Sequence, residues 1–97
     1  MPQFKLRPKA RQDLADIWRY TLKTWGEAQA DTYIRDLNRA FHTLAEQPYM
    51  GTDCEFIKSG YRKHPVGQHI IFYCPVCSGI EVNRILHKRM DVEQYFN

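Results

Sequence analysis

The chain has 97 residues, 43% hydrophobic and 13% aromatic, with 14 Lys/Arg against 11 Asp/Glu for a net charge of +3. Residues 1–97 make a single domain with ample apolar content for a packed core, which argues against disorder. No apolar run approaches the ~20 residues of a bilayer span and the Met-Pro-Gln-Phe-Lys-Leu-Arg start lacks a signal peptide's apolar stretch, so a soluble cytoplasmic protein with no membrane partner is expected.

The charge is unevenly spread. Residues 1–25 carry six Lys/Arg against two acids, residues 26–47 two against four, and residues 48–97 six against five. That weakly favours an anionic partner and falls well short of a dedicated nucleic-acid binder's footprint.

Phe4 and Leu6 alternate with Gln3, Lys5 and Arg7, which predicts a short first strand. Pro8 ends it and suits a helix start. Ala10, Leu14, Ile17, Trp18, Thr21, Leu22 and Trp25 then recur at three- and four-residue steps, one apolar face of a helix whose wet side carries Arg11, Gln12, Arg19 and Lys23. Gly26 is placed to stop that helix. Ala30, Tyr33, Ile34, Leu37, Phe41 and Leu44 form the stripe of a second helix, closed by Pro48. So short a connection predicts an αα-hairpin. Trp18, Trp25, Tyr33 and Phe41 keep helical period and are expected in packing, rather than as a platform for stacked bases. His42 is expected to be exposed.

Residues 48–60 read as a loop, with Met50-Gly51 a turn and Phe56-Ile57 pinning it to the core. After it the period becomes two. Tyr61–His64 is a short strand, Pro65–Gly67 a turn and Gln68–Cys74 the strongest strand signal. Pro75–Gly79 turns into the strand Ile80–Leu86, and Val92–Phe96 suits one helical turn. The order β-α-α-β-β-β predicts an α+β fold, an antiparallel sheet with a helical hairpin packed on one face.

Cys54, Cys74 and Cys77 are an odd count that does not suit a secreted disulfide scaffold. Cys74-Pro-Val-Cys77 has the spacing of half a zinc site, with Cys54, His64, His69 and His87 as possible further ligands. No second C-x-x-C or H-x-x-x-H completes it, so reduced thiols, no metal and no cofactor are expected.

Chemistry concentrates at the C-terminal strand. Arg84, His87, Lys88 and Arg89 form a polar, positive tip built to meet an acidic partner or a phosphate backbone. For RNA cleavage, Arg62, His64, Arg84, His87 and Lys88 are the candidates to move protons and steady charge on one phosphate. In a regular strand Arg84 would share the face of Ile80 and Val82 while His87 points away. Only a bulge near Ile85-Leu86 would unite them. Each residue also has an ordinary reading: Arg84 half-buried against Asp91 or Glu55, Arg62 and Lys63 a solvated strand edge, His87 structural.

Taken along its length the chain resembles the ParE branch of the RelE/ParE toxins. The carrying residues are Leu6-x-Pro8-x-Ala10-x-x-Asp13-Leu14-x-x-Ile17-Trp18-x-Tyr20-Thr21, Trp25-Gly26-x-x-Gln29-Ala30-x-x-Tyr33 and Leu44-Ala45-x-x-Pro48-x-x-Gly51. Tyr61-Arg62, His69-x-Ile71-Phe72-Tyr73 and Arg84-Ile85-Leu86-His87-x-Arg89-Met90-Asp91 complete them. The resemblance implies the same β-α-α-β-β-β fold. It implies the toxin of a bacterial toxin–antitoxin system, inhibiting DNA gyrase and so arresting growth, with plasmid or genome stabilisation as the system's role. It also implies a ParD-like antitoxin in a hetero-oligomer, reaching operator DNA only indirectly. RelE-like relatives instead cut mRNA in the ribosome, which makes a nuclease using Arg62, Arg84 and His87 the alternative. The Lys88-Arg89-Met90-Asp91 ending resembles the ParE pattern, so no catalytic residue is expected. Target contact is expected at Arg62, Arg84, His87, Lys88 and Arg89. Arg11, Arg19 and Lys23 are expected to meet an acidic antitoxin tail. A toxin-fold protein serving only complex assembly is a third reading.

Overall fold

A computed structural model describes residues 2–96. Strand β1 (Gln3–Leu6) passes through Arg7 straight into helix α1 (Pro8–Trp25). Pro8 occupies the first helical position, where its fixed φ is pre-set and its missing N–H has no intrahelical partner to lose. Gly26 alone separates α1 from α2 (Glu27–Glu46). Its φ of +94° is a conformation that a side chain would strain, and this one residue reverses the chain into a hairpin.

The rest is sheet: β2 (Thr52–Asp53), β3 (Arg62–Val66), β4 (His69–Val76) and β5 (Gly79–His87), closed by a 3-10 turn over Val92–Tyr95. The strand order is β1-β5-β4-β3-β2. The meander β2 to β5 is antiparallel as expected, whereas β1 pairs parallel to β5, so the sheet is mixed. A parallel partner is possible because two helices carry the chain across before it returns. β2 was not anticipated, since two residues hold no periodicity. The turns are also tighter than expected: β3 runs to Val66 and β4 to Val76, leaving two-residue connections at Gly67-Gln68 and Cys77-Ser78. Pro75 is tolerated inside β4 because β3 begins opposite Tyr73, so Pro75 has a partner on one side only.

Both faces of the sheet are covered. The helices pack Leu37, Phe41 and Leu44 against Ile71, Tyr73, Val82 and Ile85. On the other face Phe72, Leu86 and Cys54 form a second cluster, covered by Ile57, Tyr61, Val92 and Phe96. Ile57 pins its loop as expected, but Phe56 is 80% exposed. Trp25, expected in packing, is 70% exposed at the last residue of α1. His42 is exposed as expected. Among the described residues no helix is long and apolar enough to cross a membrane.

Near the middle of β5 the register slips. Tyr73 lies opposite Val82 and Phe72 opposite Arg84, so Asn83 is an extra residue, a bulge. The bulge exchanges the two faces downstream. Ile80 and Val82 face the helices before it, Ile85 and His87 after it, and Arg84 and Leu86 turn to the far side.

Candidate functional site

Arg84 is the most constrained of the positive residues. β1 ends at Leu6 opposite Val82, so beyond that point one edge of β5 is open. The first turns of α1 lie along this edge and Asp13 closes it. Its carboxylate accepts from Arg84 Nε at 2.7 Å, Arg84 Nη2 at 2.8 Å and the Ile85 N–H at 3.0 Å. The two side chains are 14% and 12% exposed. Those hydrogen bonds raise the Arg84 pKa further, so the guanidinium is permanently charged. It lies 5.1 Å from the Tyr95 ring centroid. The expected partners, Asp91 or Glu55, are therefore wrong: Asp13, far away in sequence, holds Arg84.

Arg62 is also tied down. Its Nε donates to the Gly51 carbonyl at 2.9 Å and its Nη2 to the Tyr49 carbonyl at 3.2 Å, with the guanidinium 5.3 Å from the Tyr49 ring centroid. Arg62 thus braces the loop after α2 rather than forming a solvated strand edge. Lys63 points to the other face, 6.0 Å from the Phe56 ring centroid.

His87 sits at the end of β5 on the helix face, opposite His69 of β4. The two rings meet edge to face, 5.3 Å apart. His87 Nδ1 accepts the Arg89 N–H at 3.1 Å, and the Lys88 N–H donates to the Gln68 carbonyl at 2.9 Å. These bonds shape a tight tip from which the Lys88 and Arg89 side chains project into solvent. His69 is half-buried, and burial, reinforced by His87, pushes its pKa down to about 4. Its Nδ1 lies 2.6 Å from the Tyr33 hydroxyl. His64 is lowered too, by burial. Asp13, Asp16, Tyr20 and Met90 join the two histidines around a cleft of about 400 Å³.

The three nuclease candidates therefore do not converge. Arg84 and His87 lie on opposite faces, as expected, but each on the face predicted for the other, because the bulge falls at Asn83 ahead of both. Arg62 pairs opposite Tyr73, four residues along β4 from the His69 position that faces His87, roughly 13 Å at ~3.3 Å per residue. Only His87, Lys88 and Arg89 cluster.

A second surface lies outside the helical hairpin. Leu6, Leu14, Ala15, Trp18 and Ile34 floor an apolar groove of two adjoining parts, about 330 and 300 Å³. Arg11 stands at one rim, Arg35 and Asp31 at the other. Of the three positives expected to meet an antitoxin, only Arg11 lines this groove. Arg19 binds Asp16, whose carboxyl is held below the usual range by Gln12 and then Arg19. Lys23 is exposed on the wet side of α1. Arg35 was missed because a lone arginine on the polar face of α2 carries no distinguishing pattern.

The three thiols are free. Cys54 is buried in the far-face cluster, Cys77 is exposed, and burial pushes the Cys74 thiol up to about 11. Among the described residues no group of three or more His, Cys, Asp or Glu gathers to hold a metal.

Comparison with known proteins extends along nearly the whole chain. The sequence model of the family described as "ParE toxin of type II toxin-antitoxin system, parDE" matches residues 4–92. Toxin ParE1 of Mycobacterium tuberculosis (strain CDC 1551 / Oshkosh) is 41% identical over 93 residues, 95% of each chain. Toxin ParE1 of Caulobacter vibrioides is 37% identical over 95 residues, 98% of each. Toxin ParE of Escherichia coli is 32% identical over 93 residues, 95% of this chain and 90% of that one. A solved structure described as the chromosomal ParDE TA system from P. aeruginosa superposes with a TM-score of 0.76 at 19% identity, covering 90% of this chain and 96% of its own, a likeness of fold.

Proposed function

From the premise that this chain belongs to the ParE toxin family of type II toxin–antitoxin systems, we propose that it arrests growth by inhibiting DNA gyrase, without a catalytic site of its own, and that a ParD-like antitoxin neutralises it. The observation that carries the non-catalytic part is the dispersal of the candidate residues. Arg84 is neutralised by Asp13, Arg62 is committed to the Gly51 and Tyr49 carbonyls, and His87 lies on the other face from Arg84. A general base and fixed cations must share one scissile phosphate, and these three do not. What remains exposed at the end of β5 is Lys88 and Arg89, two solvated cations on a hydrogen-bonded tip, suited to a protein surface.

The hairpin groove supports the antitoxin reading. A half-exposed apolar floor of Leu14, Trp18 and Ile34 between two helices, with an arginine on each rim, suits an amphipathic segment with acidic flanks. Operator DNA would then be met through the antitoxin.

Purified toxin, free of antitoxin, is expected to inhibit gyrase supercoiling and accumulate cleaved DNA while leaving mRNA on ribosomes intact. Lys88→Ala/Arg89→Ala is expected to weaken that inhibition without moving the melting temperature. Full supercoiling activity at a large toxin excess would reject the reading, and codon-linked mRNA cuts would replace it with a nuclease.

A further inference from the structure

On the sheet face away from the helices, a cleft of about 390 Å³ opens between the start of α1, the loop before β3 and the C-terminal turn. Four cations line it, Arg7, Lys9, Lys58 and Arg84, and among the described residues no carboxylate does. Arg7 and Arg84 are partly neutralised from outside the cleft, by Glu81 at 3.6 Å and by Asp13. Lys9 and Lys58 form no ion pair among the described residues, and among those residues the cleft keeps a positive excess.

Its walls are aromatic. Tyr61 and Phe96 meet edge to face at 5.2 Å, the Lys58 ammonium is 5.8 Å from the Tyr61 centroid, and Tyr95 lies under the Arg84 guanidinium. The bulge residue Asn83 also lines it, and its side-chain oxygen is buried without a hydrogen-bond partner. A buried acceptor left unpaired is unfavourable and suits an incoming donor. Finally, α1 begins here with no side-chain cap and no acidic residue in its first turn, so its leading N–H groups add to the positive field.

Cations, flat rings and an orphan acceptor in one cleft call for a ligand with an anion, a planar ring and a hydrogen-bond donor. We propose that this cleft binds a nucleotide, with the phosphate between Lys9 and Lys58, the base against Tyr61 and Tyr95, and an N–H or O–H of the base or sugar donating to Asn83 Oδ1. The chemistry is the same for a free nucleotide and for one nucleotide of a single strand. Among the described residues no histidine, aspartate or glutamate lines the cleft, and the proposal is for a site of binding alone. It is independent of the gyrase reading and lies on the opposite face of β5 from His87.

The test is a titration of ¹⁵N-labelled toxin with adenosine 5′-monophosphate, a single-stranded tetranucleotide, inorganic phosphate and adenosine in turn. The expected result is saturable shifts at the Asn83 side-chain amide and the Lys9 and Lys58 backbone. Lys9→Ala/Lys58→Ala should weaken binding at least about tenfold at an unchanged melting temperature, whereas Lys88→Ala/Arg89→Ala leaves it unaltered. Binding of the monophosphate identifies a free nucleotide as sufficient, and binding of the tetranucleotide alone identifies a strand; either upholds the proposal. No shift with either at millimolar concentration overturns it. So does inorganic phosphate that shifts the same residues as strongly as the monophosphate, which would make the cleft a plain anion site.

Discussion

The Tyr33 hydroxyl is crowded: it lies 3.1 Å from the Val66 carbonyl, 3.0 Å from the Gln68 N–H and 2.6 Å from His69 Nδ1. One hydroxyl proton satisfies all three only if Tyr33 donates to Val66 and accepts from both Gln68 and a neutral His69 protonated on Nδ1. Nε2 is then the position a second proton must take, in a half-buried ring beside His87. The folded pKa of about 4 lies below the ordinary 6.5, so the unfolded chain binds that proton more readily. This contribution is complete above pH 6.5 and lost as the pH falls towards 4. Allowing for solvent screening, stability should drop by about 1 kcal/mol between pH 7 and 5. Urea denaturation at both pH values checks it, with His69→Gln as the control that reduces the drop to the smaller one left by the lowered His64. An equal pH dependence in that variant would place its origin elsewhere. Nothing in the sequence announced this cluster, because Tyr33 and His69 meet only once α2 lies across the β3–β4 turn.

At the scale of elements, Asp13 does the work of a missing strand. β1 stops at Leu6, and the carboxylate on the second turn of α1 takes over the exposed Ile85 N–H and Arg84 together. Asp13→Ala removes one partner of a largely buried ion pair and orphans a backbone donor. A loss of about 3 kcal/mol is expected in urea denaturation at pH 7. A loss below about 1 kcal/mol would mean that the pair behaves as an ordinary surface bridge. The helices were legible because Ala10, Ile17, Leu37, Phe41 and Leu44 repeat with a helix's own period, and their burial follows from that alone. The bulge at Asn83 was not, although the strand around it was. Period-two patterning reports which residues are apolar, and Ile85-Leu86 are both apolar because each face of the sheet has its own core. The site suffered most from this: Arg84 and His87 were assigned each other's faces by a single inserted residue.

For the whole molecule, the two sides of the sheet divide the surfaces. The hairpin groove lies outside the helices, and the cationic cleft opens on the far face. If an acidic antitoxin segment fills the groove, Arg11→Glu/Arg35→Glu should weaken its binding about tenfold and flatten the salt dependence. Arg19→Glu/Lys23→Glu, on the wet side of α1, should leave both unchanged. Calorimetry at two salt concentrations separates the cases, and equal affinities for all variants would remove the electrostatic part of the reading. The parallel pairing of β1 with β5 has a consequence for biogenesis. A ribosome delivers β1 first and its partner strand β5 nearly last. The α1–α2 hairpin, built from local contacts, can form while the chain is still emerging, but the sheet cannot close until Gly79–Val82 leave the exit tunnel. If an antitoxin takes the apolar groove at α1 and α2 and the target meets the tip at Lys88 and Arg89, the nascent chain offers the first before the second exists, an interval in which it can be captured before it can do harm.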